Sequence, residues 1–196
     1  MAARKISEAG AAGRFEYEIF DPQQWVPDYP NAAFANENPG DRLWAARKIM
    51  AFTDEEIRAI VSTGQYTDPA AGEWIVRCLI ERRNKIVRAF VSGTGAIDGF
   101  ALRENGLEFH VAGSAPKARI QWSVFNNNTL ERRPLPGAAS FDLPQQKDGA
   151  QYLVAEIAGD SGPRISVYVS LKQGQPRIVG VERNFAADKK EQAWRR

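Results

Sequence analysis

The stretch FALRENGLEFHV (100–111) marks the point at which the chain changes from helical to strand periodicity. Apolar and polar side chains alternate along it, and the Asn-Gly pair near its centre favours a tight hairpin turn because both residues tolerate positive φ. Pairing Glu104 with Leu107 gives the hairpin one apolar face and leaves His110 on the polar face. The inward side chains are then Phe100, Leu102, Leu107, Phe109 and Val111. An antiparallel β half is therefore predicted to begin here.

Four further stretches downstream show the same alternation and are separated by turn-forming residues. They are 119–125, 152–158, 164–171 and 177–182. Short strands in this number, with turn signals between them, predict an antiparallel β-sandwich over 97–185. The longest loop, 126–147, is rich in Asn and Pro, and binding residues concentrate on such surface segments. The candidate ligand-binding residues are Asn126, Asn127, Asn128, Arg132 and Arg133.

Helical signals fill the half that precedes the hairpin. One helix starts at Asp41 and ends near Phe52. The stretch TDEE (53–56) is a capping box, in which the Thr hydroxyl and the second Glu carboxylate each accept a hydrogen bond from a free backbone N–H. A second helix runs from that box to Gly64, and Pro69 occupies the first position of a third and longest helix.

Arg82 falls on the apolar stripe of the third helix, where an apolar residue is expected. One interpretation is that it contacts a phosphate or carboxylate of a ligand. The favoured interpretation is that it is paired within the protein, or that its stem lies along apolar surface while its charge reaches a polar partner.

Residues 15–34, FEYEIFDPQQWVPDYPNAAF, combine three prolines with six aromatic side chains. The prolines exclude a regular helix, and the aromatic side chains supply a large area for burial, so the segment is predicted to be a strap that packs on the helices. The alternative is an exposed aromatic strap that binds sugars or peptides. Burial is favoured because packing within the chain is the usual use of such residues.

Composition limits the function classes. With 26 basic and 24 acidic residues the formal charge is +2, so the long-range field that attracts nucleic acid is weak and no nucleic-acid partner is expected. Cys78 and His110 are the sole cysteine and histidine, which excludes an internal disulfide and leaves too few ligands for most zinc sites. The phosphate-loop, dinucleotide and zinc-peptidase motifs do not occur, so neither a metal nor a cofactor is expected.

No stretch of the sequence approaches the roughly 20 apolar residues of a membrane span, and no signal peptide is recognisable. The first 14 residues are small and polar and are predicted to be a disordered leader, while 186–196 form a charged tail.

The stretch AGDSGPR (158–164) contains Gly-Asp-Ser-Gly, which surrounds the nucleophile of trypsin-like proteases. His110, Asp142 and Ser161 follow one another in the chain order that such a triad requires. However, His110 lies within a predicted strand, and the β half is too short for two barrels. Glycine, aspartate and serine between two alternating strands are typical of a hairpin turn, which is the favoured interpretation.

Four phrases of the sequence are similar to one known family. They are WVPDYPNAAF (25–34), FTDEEIRA (52–59), LIERRNKI (79–86) and VGVER (179–183). Together they resemble the C-terminal portion of a family of long bacterial proteins whose front half looks like a kinase-fold module. The resemblance covers about residues 14–183 and carries no known activity. It implies a bacterial protein, the absence of a kinase-like domain from this stretch, and export of the full-length protein, and it assigns a catalytic role to no position.

The sequence thus predicts an α+β protein, with an N-terminal aromatic strap and three-helix unit (15–92) followed by an antiparallel β-sandwich (97–185). The favoured function is a non-catalytic accessory or binding module. Its partner would be a protein or a carbohydrate, held on the 126–144 loop and on exposed aromatic side chains. One alternative is an enzyme fragment, either part of a kinase-like phosphotransferase or a serine hydrolase using Ser161. A purely structural tail is the other.

Overall fold

A computed structural model describes residues 12, 15–103, 106–113, 116–144, 149–172 and 175–185. The predicted leader, apart from residue 12, and the charged tail lie outside the described residues. The chain separates into two compact units, Met1–Val91 and Ser92–Arg196. The first is helical and the second contains two antiparallel sheets, which confirms the α+β class.

The described residues of the helical unit contain four helices. They are α1 (Ala32–Ala35), α2 (Pro39–Met50), α3 (Asp54–Ser62) and α4 (Pro69–Phe90). The predicted capping box is present before α3, where the Glu56 N–H donates to the Thr53 hydroxyl at 3.1 Å and the Thr53 N–H donates to the Glu56 carboxylate at 2.8 Å. A second capping box, formed by Asn38 and Asp41, starts α2 two residues earlier than the sequence predicts. The short α1 lies inside the predicted strap.

The first part of the strap lies along α4 and is held by side chains of that helix. Lys85 Nζ donates to the carbonyls of Tyr17, Glu18 and Phe20 at 2.7, 2.9 and 3.0 Å. Arg82 Nε donates to the Glu16 carbonyl at 2.6 Å. The Arg82 guanidinium also lies over the rings of two strap residues, 4.4 Å from the Phe15 centroid and 4.8 Å from that of Phe20. The paired interpretation of Arg82 is confirmed, because this cation fixes the strap.

The second part of the strap is not buried as predicted. Three aromatic side chains of this part are exposed, namely Trp25, Tyr29 and Phe34. Trp25 and Phe34 pack edge to face on one another, with ring centroids 5.2 Å apart. The prediction of burial is wrong here because the aromatic content of a segment does not specify the surface that covers it. In the described chain, no helix has the length and apolar character needed to cross a membrane.

A short 3-10 helix (Gly93–Ala96) lies at the start of the β unit, in which the structure describes seven strands. They are β1 (Ile97–Arg103), β2 (Gly106–Val111), β3 (Ala118–Phe125), β4 (Arg132–Pro134), β5 (Tyr152–Gly159), β6 (Arg164–Ser170) and β7 (Arg177–Asn184). β1 and β2 pair as a two-stranded sheet, and the others form a five-stranded antiparallel sheet in the order β4-β3-β5-β6-β7.

The two sheets share one core, which gives the predicted sandwich. Side chains of β3, β5 and β6 meet those of the hairpin in this core. The fully buried members are Ile97, Trp122, Leu153, Ala155, Ile157, Ile165, Val167 and Val169. The second layer is completed by residues 135–143 of the long loop, which pack on the same core. The five-stranded sheet therefore has one face against the core and one face turned away from it.

The hairpin register differs from the prediction. Leu107 pairs with Leu102, and His110 lies opposite Asp98 rather than beside Ala101. The predicted apolar face is correct, but its pairing is shifted because Gly106, expected in the turn, belongs to β2 and pairs with Arg103. At Gly106 a Cβ would collide with the Phe141 carbonyl. Residues 104 and 105 lie outside the described residues.

Candidate functional site

Ser161 lies in the turn between β5 and β6, and this turn is tied to the segment before β1. The Thr94 N–H donates to the Ser161 carbonyl at 3.1 Å, and the Thr94 hydroxyl lies within hydrogen-bonding distance of the carbonyls of Ser161 and Pro163. Thr94 is fully buried. At Gly93, with φ 55°, a Cβ would collide with the Ser161 carbonyl. Gly-Asp-Ser-Gly therefore forms a turn whose backbone carbonyls are held by hydrogen bonds from Thr94.

His110 and Asp142 lie at opposite ends of the hairpin. His110 pairs with Asp98, whereas Asp142 forms a single antiparallel bridge with Gly106. Advancing along β2 from Gly106 to His110 covers about 13 Å at the usual rise of a strand. The Asp142 carboxylate accepts a hydrogen bond from the Ser140 hydroxyl at 2.9 Å. Because a catalytic triad requires hydrogen-bonding contact between its members, these side chains do not form one.

The Asn-rich part of the long loop is a tight turn. The Asn126 side chain accepts hydrogen bonds from the N–H groups of Asn128 and Thr129 at 2.9 and 3.3 Å, so it shapes the turn. Asn127 and Asn128 are exposed at the turn. Arg133 lies opposite Val124 in the register and points to the other side of β4 from Arg132. The structure therefore does not bring the five predicted ligand-binding residues together.

The rest of that loop serves the core. Leu135 is buried, and Phe141 and Leu143 pack against the core cluster. The Trp122 indole N–H donates to the Ser140 carbonyl at 3.0 Å. Within the expected binding surface along 126–144, Leu135, Phe141 and Leu143 are therefore needed by the core, whereas Ser140 and Asp142 stay exposed. Ligand binding along this loop stays a prediction.

Arg132 points onto the face of the five-stranded sheet that is turned away from the core. We call this surface the open face. Its members alternate with the core residues along each strand and line up across the sheet. They are Arg119, Gln121, Ser123 and Phe125 of β3, Arg132 of β4, Tyr152, Val154 and Glu156 of β5, Arg164, Ser166, Tyr168 and Ser170 of β6, and Arg177, Gly180 and Glu182 of β7. Ser123, Val154, Ser166 and Ser170 are buried, so the larger side chains form the accessible part of this face.

A network of charged and polar side chains occupies the middle of the open face. Arg132 Nη1 donates to the Glu156 carboxylate at 2.5 Å, and Nη2 donates to the Tyr168 hydroxyl at 2.6 Å. The Tyr168 hydroxyl in turn donates to the Glu182 carboxylate at 3.0 Å. The Arg132 and Glu156 side chains are only 30% and 25% exposed. Four strands thus contribute to one network, which fixes Arg132 in a single orientation.

The network also sets the protonation of Tyr168. Burial and the hydrogen bond to Glu182 raise the pKa of the Tyr168 hydroxyl above its ordinary value of 10.0, and the positive charge of Arg132 opposes them only in part. The hydroxyl therefore keeps its proton at neutral pH and remains a hydrogen-bond donor. Such a shift moves the group away from the pH range in which general acid or base catalysis operates.

Aromatic rings and further cations surround this network. The Phe125 and Tyr168 rings pack edge to face, with centroids 5.1 Å apart. Lys172, just after β6, places its ammonium 5.0 Å from the Tyr152 ring centroid. The open face and Lys172 together carry five basic and two acidic side chains, a formal excess of three positive charges, compared with +2 for the whole chain. The surface is therefore locally basic although the chain is almost neutral.

In the described ranges, no group of three or more His, Cys, Asp or Glu residues has the arrangement of a metal site. Sequence reasoning identified Arg132 but missed Glu156, Tyr168 and Glu182. Strand alternation alone would have placed these three on the outward side, but only the strand order shows that they converge on Arg132.

The chain was compared with known protein families, with characterised proteins and with solved structures, and none of them matches it.

Proposed function

We propose that this protein is a non-catalytic binding module, the accessory tail of a larger bacterial protein, and that it binds its ligand on the open face. The observation that carries the proposal is the orientation of Arg132, which is held between Glu156 and Tyr168 and remains partly exposed. A binding site gains affinity when its polar groups are already fixed, because less side-chain entropy is lost on association.

A binding role fits this network better than catalysis does. Glu156 is engaged by a guanidinium, and Glu182 accepts a hydrogen bond from the Tyr168 hydroxyl, so both carboxylates have structural partners. The raised pKa of Tyr168 makes its hydroxyl a fixed donor. The candidate hydrolase residues are far apart: His110 and Asp142 lie at opposite ends of the hairpin, and Ser161 lies in the turn between β5 and β6.

We further propose that the ligand is an acidic carbohydrate chain. Sugar rings present C–H groups that pack on aromatic side chains such as Tyr152 and Phe125. Sugar hydroxyls can donate to the amide oxygen of Gln121, whose nitrogen is held by the Trp122 and Leu135 carbonyls. Carboxylate groups of the sugar suit arginine, whose guanidinium binds them through two parallel hydrogen bonds. Arg119, Arg164 and Arg177 are distributed around the central network and supply guanidinium groups for these carboxylates.

Isothermal titration of the full chain with a uronic-acid oligosaccharide and with a neutral oligosaccharide of equal length tests the proposal. We expect the acidic chain to bind more tightly. Arg132→Ala should weaken binding by about tenfold or more, which corresponds to about 1.4 kcal/mol or more. Arg103→Ala is the matched control, because Arg103 is a highly exposed arginine on the hairpin sheet and should leave affinity unchanged.

The absence of binding to any acidic oligosaccharide would overturn the ligand class, as would tighter binding of single-stranded RNA than of the uronic-acid chain. Equal losses in Arg132→Ala and Arg103→Ala would show that net charge, rather than the open face, determines binding.

A further inference from the structure

β7 (Arg177–Asn184) is an edge strand of the five-stranded sheet. It pairs with β6, and no other described strand pairs with it. Edge strands expose unpaired N–H and C=O groups, and proteins usually protect them with Lys, Pro or inward charges. β7 contains neither Lys nor Pro, and Val179 and Val181 are 50% and 39% exposed. Its inward charge, Arg183, lies near the end of the strand, where it donates to the Ile97 carbonyl and the Asp98 carboxylate of β1. The stretch 177–182 of this edge is therefore the part suited to accept another strand.

The sequence of β7 is complementary to itself in one antiparallel register. When two copies are related by a twofold axis, Arg177 of each can lie opposite Glu182 of the other, with Ile178 opposite Val181 and Val179 opposite Gly180. Symmetry makes the Arg–Glu pair occur twice, and opposite charges in direct cross-strand positions are stabilising.

The faces of the strand agree with this register. Arg177 and Glu182 both lie on the open face, since they pair with Ser170 and Ser166 of β6. Ile178 and Val181 both lie on the core side, opposite Val169 and Val167. This matching depends on the irregularity at Val179, where the register of β6 and β7 shifts by one residue. Opposed residues of two strands must share a face, and here they do.

The neighbouring register is unfavourable. Centring the twofold axis on Gly180 would place Arg177 opposite Arg183 of the second copy and Ile178 opposite Glu182. Arg177 lies on the open face and Arg183 on the core side, so this register would oppose residues that do not share a face. The faces of the strand therefore exclude it, and the Arg–Glu pair favours the first register.

We propose that a second copy of this chain pairs with β7 in the first register, which joins the two five-stranded sheets into one continuous sheet. An eight-residue strand buries less surface than a standard stable interface, so we expect a weak and reversible dimer. The two open faces then lie side by side on one sheet. Two ligand sites on one rigid support would increase the apparent affinity for a repetitive ligand.

Sedimentation velocity of the full chain over the micromolar range tests the dimer. We expect a reversible monomer–dimer equilibrium. Each of the single variants Arg177→Glu and Glu182→Lys should weaken it by about tenfold or more, since each places like charges opposite one another twice. The double variant, which exchanges the two charges, should recover the dimer. Arg119→Glu is the control, because Arg119 lies on the same face but on β3.

Since Glu182 also accepts the Tyr168 hydroxyl, amide hydrogen exchange of the unmodified chain supplies a test without substitution. The β7 amides should become more protected as the protein concentration rises. A chain that stays monomeric throughout, a dimer that the charge variants leave unchanged, or a double variant that fails to recover it would overturn the proposal. None of these results depends on ligand binding.

Discussion

Lys85 fixes the strap, and Cys78 can report on this contact. The Lys85 ammonium donates to three strap carbonyls, and the Cys78 thiol lies beneath the same segment, with its Sγ 3.6 Å from the Phe15 carbonyl. Cys78 is fully buried, and this burial raises the pKa of its thiol, so it should react slowly with a thiol reagent in the native protein.

Replacing Lys85 by Met keeps the apolar stem of the side chain and removes its charge and donors. A hydrogen bond to a charged group is worth about 1.5–3 kcal/mol, and we take the loss as that of one such bond because water can solvate the three released carbonyls. The equilibrium between docked and released strap should therefore shift by roughly 10- to 150-fold. The rate at which Cys78 reacts with a chromogenic disulfide reagent at constant pH measures this shift, since the reaction requires release of the strap. We expect the rate to rise by the same factor while the global unfolding midpoint changes much less.

Lys48→Met is the matched control. Lys48 lies on α2, with its ammonium 5.8 Å from the Trp44 ring centroid, and its replacement should leave the Cys78 rate unchanged. If Lys85→Met reacted no faster than the unmodified chain or this control, the three hydrogen bonds would not hold the strap over Cys78.

Two further outcomes follow from the β unit. Thr94→Val should lower the free energy of unfolding by about 1–3 kcal/mol, because buried carbonyls of the turn lose their donor. Ser161→Ala should leave both stability and ligand binding unchanged. Chemical denaturation compares the two variants, and a large loss of stability in Ser161→Ala would show that its hydroxyl has a role. For Tyr168 the folded-state pKa lies above the unfolded value, so its contribution to stability is complete below about pH 10 and is lost as the pH rises through the folded value. The melting temperature should therefore fall less steeply above that pH in Tyr168→Phe than in the unmodified chain, and equal slopes would show that the hydroxyl ionises alike in both states.

The parts of this fold that depend on local chemistry can be predicted from the sequence. The capping box at Thr53, the start of α4 at Pro69 and the turn around Ser161 each follow from a few adjacent residues. Alternation also predicts the strands, because the side chains that it assigns to the inner face do enter the core.

The errors arise where distant segments meet. The hairpin register depends on Gly106, whose missing side chain admits the backbone of Phe141 from another part of the chain. Similarly, the aromatic content of the strap does not reveal that Phe15 is held by Arg82 while Trp25 stays exposed. No local pattern indicates either contact.

In the candidate site, too, adjacent residues indicate one member, whereas contacts between distant segments determine the others. The sequence suggests Arg132 as a ligand residue because it follows an irregular Asn-rich turn, but the residues next to it in the sequence do not indicate which side chains it contacts. Glu156, Tyr168 and Glu182 lie 24, 36 and 50 positions further along the chain, and the strand order brings them to one network. An outward polar residue on a strand is ordinarily interpreted as a solvated position, so the network cannot be distinguished from ordinary surface without the sheet.

Nuclear magnetic resonance can locate the ligand on the chain. In a titration of the isotope-labelled full chain with a uronic-acid oligosaccharide, saturable shifts should appear at the amides of Gln121, Arg132, Glu156 and Tyr168 and of their neighbours on the open face. The side-chain resonance of the Arg132 guanidinium should shift with the same affinity. Shifts confined to the exposed aromatic residues Trp25, Tyr29 and Phe34, or no shifts at saturating ligand, would show that the open face is not the binding site.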